Sequence, residues 1–86
     1  MPRQQMDELL AQLRKEVAGA RELSDSQRAR MEALRVQLAD QLAAEEVPDE
    51  GIREQVRRHI DEFHRTHPML TMVLGRIMDS LNKMGI

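Results

Sequence analysis

Apolar residues recur at intervals of three and four in four successive stretches of this chain, and polar or proline-bearing breaks separate the stretches. An α-helix returns a side chain to the same face every three or four residues, a strand every second one, so the spacing predicts helices. In the first stretch, from about residue 3 to 22, Met6, Leu10, Leu13, Val17 and Ala20 form a heptad seam that Leu9 broadens. Two to three heptads are too few for a free-standing coiled coil, so a helical hairpin is expected.

The first break falls at Leu23-Ser24-Asp25-Ser26. Ser24 followed by Gln27 is a capping-box pattern, although Ser24, Asp25 or Ser26 can each accept the free amides of the next helix. Gly19 is a point where the first helix can fray early. The second stretch, about 26–46, aligns Met31, Leu34, Leu38 and Leu42, with Ala33, Ala39 and Ala43 beside them. Similar lengths and a short polar connection predict an antiparallel hairpin over residues 1–46. Val47-Pro48-Asp49 should end it, because proline lacks an amide and disfavours helix in the residue before it.

A second helix pair is expected over 49–86, within a single helical domain spanning 1–86. Asp49 is the expected N-cap of the third helix, whose apolar face is read as Ile52, Val56, Ile60 and Phe63. Glu54 with Arg58 and Asp61 with Arg65 are i,i+4 pairs that support a solvated outer face. His67-Pro68 separates the third helix from a fourth that runs to about Met84, with Pro68 in its first turn. This last helix is the least polar, carrying Met69, Leu70, Met72, Val73, Leu74, Ile77, Met78, Leu81 and Met84. Its small-polar strip of Thr71, Gly75 and Asp79 can admit a close neighbour. Gly85 suits a left-handed helix end, with Ile86 placed to touch Leu81.

Composition restricts how such a fold is stabilised. At 86 residues, a lone copy buries only about 60–65% of the surface its unfolded chain exposes. There is no cysteine to form a disulfide or a thiolate metal site, and Phe63 is the one aromatic residue. The fold class expected is therefore all-α, a small helical bundle completed by oligomerisation. The apolar arc of the fourth helix is wider than two short neighbours should cover. That places the expected oligomer interface at Leu70, Val73, Leu74, Ile77, Met78, Leu81 and Met84. A twofold homodimer is the simplest assembly, alongside an unidentified protein partner.

Other chemistries find less support. Asp61, His64 and His67, in a His59–His67 region, offer nitrogen and oxygen ligands, so a metal-responsive protein is one alternative. Against it, cationic and hydrogen-bonding groups favour a helix C-terminus in any case, and Pro68 disturbs the geometry there. Arg28, Arg30 and Arg35 form one basic strip and Arg53, Arg57 and Arg58 another, so a small nucleic-acid-associated regulator is a second alternative. Both strips are interleaved with acids, no aromatic platform accompanies them, and the chain has 13 basic against 15 acidic residues. No Gly-rich phosphate loop or nucleophile elbow is present. No enzyme activity and no cofactor is expected. The sequence has no signal-peptide pattern and no run of about 20 apolar residues, so a cytoplasmic protein away from the membrane is expected.

Phe63, His67-Pro68-Met69-Leu70-Thr71, Ile77-Met78, Leu81 and Met84-Gly85-Ile86, with Leu9-Leu10 and Leu13 earlier, resemble the short bacterial proteins catalogued as domain of unknown function 4404. The resemblance spans nearly the whole chain and implies a stand-alone bacterial protein of this size. It brings no catalytic residues with it. The expected function is that of a non-enzymatic interaction or adaptor protein acting through self-association and protein-partner binding.

Overall fold

The computed structural model describes residues 2–45 and 50–85, and among them the secondary structure is four α-helices and no strand. These are α1 (Pro2–Gly19), α2 (Asp25–Ala43), α3 (Glu50–Phe63) and α4 (Pro68–Gly85). The expected stop at Val47-Pro48, the Asp49 N-cap and the Ile86 contact lie outside the described residues.

The first turn forms as its sequence dictates, with Ser24 as the N-cap of α2. Its hydroxyl accepts the Gln27 amide at 3.0 Å, and its own amide donates to Gln27 Oε1 at 2.9 Å. That reciprocal pair satisfies two amides that the first turn of a helix cannot satisfy internally. The end of α1 is closed from across the turn by a residue that the periodicity did not single out. Arg28 on α2 donates Nη2 to the Ala20 carbonyl at 2.6 Å and Nη1 to the Val17 carbonyl. A cation at a helix C-terminus also meets the negative end of the macrodipole. Pro68 opens α4, whose first carbonyl bond runs from the Thr71 amide to His67 O at 2.9 Å.

The helices form an antiparallel ring in the order α1–α2–α3–α4, and α4 returns to lie against α1. The Gln27 and Arg30 side chains at the start of α2 reach Glu62 near the end of α3, and Arg53 early in α3 reaches the Leu81 carbonyl late in α4. The α1–α4 contact is the most extensive, followed by α3–α4, and α2–α3 is the least. The body measures 34 × 21 × 19 Å.

The predicted seams point inward. Met6, Leu10, Leu13, Val17, Met31, Leu34, Leu38, Leu42, Ile52, Val56 and Phe63 are all buried in one core. On α3 the buried set is Ile52, Val56, His59 and Phe63, with Ile60 only partly covered. The spacing 4, 3, 4 is the heptad pattern already seen on α1, so an unbroken heptad reading would have found His59. Its Nδ1–H donates to the Gln55 carbonyl at 2.6 Å and its ring stacks on Phe63 at 6.1 Å. No helix among the described residues is long and apolar enough to cross a membrane.

Candidate interaction surface

Because α4 lies between α1 and α3, most of its wide apolar arc is covered by its own chain. Leu70, Val73, Leu74, Ile77 and Leu81 are at most 3% exposed, and Met78 and Met84 are partly buried against the same core. All seven side chains expected at an oligomer interface therefore serve the intramolecular core. Met69 and Met72, outside that expected set, are the most exposed apolar side chains of α4, at 51% and 40%. A charge placed at Leu74 or Ile77 would unfold the monomer, because an unpaired buried charge costs several kcal/mol.

Met69 and Met72 are one turn apart on the outer side of α4. Farther along that side stand Arg76, Asp79 and Lys83, all exposed. None of these three charges makes an ion pair or side-chain hydrogen bond among the described residues. Beside this strip, the seam with α1 has two open hollows. One, of about 340 Å³, is lined by Glu8, Leu9, Gln12, Arg76, Ser80 and Lys83 among others, with Leu9 half-buried against the core. The other lies at the opposite end of the seam, where Ala20 and Gly19 face Pro68, Met69 and Leu70. The α1/α4 flank thus combines exposed methionine, shallow relief and unengaged charge of both signs. Among the described residues the other exposed large apolar side chain is Val36, on α2.

The remaining candidates are engaged elsewhere. His64 Nδ1–H donates to the backbone carbonyl of Asp61 at 2.8 Å, while His67 Nδ1 sits 2.9 Å from Thr66 Oγ1 with its ring edge against Phe63. Among the described residues no three His, Asp or Glu side chains converge on a possible metal position.

Both arginine strips are bonded within the chain. Arg28 caps α1, Arg30 pairs with Glu62 at 3.1 Å, and Arg35 pairs with Glu32. Arg53 donates to Leu81 O at 3.3 Å, while Arg57 and Arg58 both approach Glu54, at 3.3 and 3.9 Å. The Gln27 side-chain hydrogen bond, and then Arg30, hold the Glu62 carboxyl below the ordinary carboxylate range. The Arg35 hydrogen bond does the same to Glu32.

Searches of curated proteins and of solved structures returned no match. The sequence does match a family model over nearly its full length. The four-helix chain belongs to the family described as "Domain of unknown function (DUF4404)", whose model covers residues 6–86.

Proposed function

We propose that this chain is a non-enzymatic interaction protein that acts through self-association and protein-partner binding, with the α1/α4 flank as its contact face. The observation carrying the proposal is the exposure of Met69 and Met72, one turn apart, on a helix whose other apolar residues are buried or partly buried against the core. Methionine is flexible and polarizable, and it adapts to more than one partner surface. The hollows on this flank are open grooves, without the enclosure that shifts pKa values for acid–base catalysis.

Magnitudes predict a weak assembly. A flank of 34 by 21 Å can bury at most about 700 Å² per copy, near the lower end of specific interfaces. Covering a half-exposed methionine gains roughly 1 kcal/mol, so four across a dimer gain roughly 4 kcal/mol before the cost of association. Because association itself costs at least as much, the face supports a dissociation constant no tighter than the micromolar range, and that only with its grooves filled as well.

Light scattering on purified protein tests the proposal. A mass rising from 10.0 kDa towards twice that value by about 50 µM is expected. Met69→Glu with Met72→Glu should remove the rise and leave the melting temperature within about 2 °C, since both side chains are exposed. A folded wild-type monomer at that concentration would refute self-association.

A further inference from the structure

On the reading that the α1/α4 flank self-associates, we infer that the second copy docks with its α4 antiparallel to the first, about a twofold axis passing between Arg76 and Asp79. The outer strip of α4 reads Met69, Met72, Arg76, Asp79, Lys83 along the helix. In a parallel pairing each of these residues meets its own copy, so Arg76 faces Arg76 and Asp79 faces Asp79. Reversing one helix about the midpoint sets Arg76 against Asp79 of the second copy, twice by symmetry. The same register sets Met72 against Lys83 of the second copy, at about 8 Å from the axis given a rise of 1.5 Å per residue. Lys83 borders the hollow in which Leu9 supplies the apolar lining, so the methionine gains a groove and the lysine stem gains cover.

From Met72 to Lys83 the strip therefore contains its own complement, which makes a second copy of this chain the occupant it fits. Arg76, Asp79 and Lys83 make no ion pair or side-chain hydrogen bond among the described residues, so all three are available to a second copy. Two-sign patterning of this kind fixes orientation and register more than it adds affinity.

Charge reversal tests the arrangement. Arg76→Asp and Asp79→Arg should each weaken dimerisation about tenfold at low salt, because every pair becomes a like-charge contact made twice. Mixing the two variants should restore near-wild-type affinity, since a chain with two acids then faces a chain with two bases. Near 1 M salt, where screening acts within about 3 Å, the differences should shrink. Circular dichroism should report unchanged folding for each chain, as both positions are exposed.

If the wild type dimerises but neither reversal weakens it, the antiparallel register is wrong and self-association stands. If the reversals dissociate the dimer but the mixture fails to re-form it, Arg76 and Asp79 do not face each other and the register is again wrong. A wild-type monomer defeats the parent reading as well.

Discussion

Gly75 stands in the interior of α4, where glycine is the least favourable residue after proline. Its φ is not in the left-handed region, and a Cβ built there would meet no atom within 4 Å. The strip Thr71-Gly75-Asp79 reads in the sequence as a place for a close neighbour, yet beside Gly75 the space within the chain is open. Gly75→Ala should therefore act on backbone freedom alone. Removing the extra conformations of glycine from the unfolded chain is worth about 1 kcal/mol in a helix interior, with no steric term to offset it. For a domain of this size the melting temperature should rise by about 4–8 °C, read by circular dichroism and checked by the urea midpoint. A lower melting temperature, or a gain that vanishes as protein concentration rises, would mean that another backbone lies against Gly75.

Replacing Arg28 by Met keeps the aliphatic stem but removes the charged hydrogen bonds to Val17 and Ala20, so stability should fall by about 1–2 kcal/mol in urea unfolding. No change would show that water caps α1 equally well. Glu45 follows the last turn of α2 with φ at 59°, a left-handed conformation that disfavours side chains. Glu45→Gly should raise stability by about 0.5–1 kcal/mol, and a loss would mean that the contacts of the glutamate outweigh the backbone strain. Glu62 has a folded-state pKa below its unfolded one, so its contribution is present above about pH 4.3 and is lost as pH falls through the folded value. Glu62→Gln should have a lower urea midpoint than wild type at pH 7, with the gap narrowing as pH falls through the folded value, and a gap that does not narrow in acid would remove carboxylate ionisation as the cause.

The helical class, the turn at Ser24 and the inward faces of α1 and α2 were legible because each rests on short-range physics. A capping box needs only residues three apart, and a buried stripe needs only a repeat that matches the helical pitch. His59 was legible too, at the third position of a 4, 3, 4 series, but reading Ile60 into the face hid it. The role of Arg28 was not, because its acceptors belong to another helix and become available only when the two helices pack.

The sequence by itself determined where the helices form and which side of each is apolar, since periodicity and capping act within a turn or two of the chain. It also determined that α4 is the greasiest helix. The tertiary structure alone decided how many neighbours α4 obtains, because coverage depends on the closure of α1 onto α4 across the length of the chain. That closure takes Leu70, Val73, Leu74, Ile77 and Leu81 into the chain's own core and leaves Met69 and Met72 facing outward. Local spacing gives the width of an apolar arc, but only the packing of the other helices decides which part of it remains exposed.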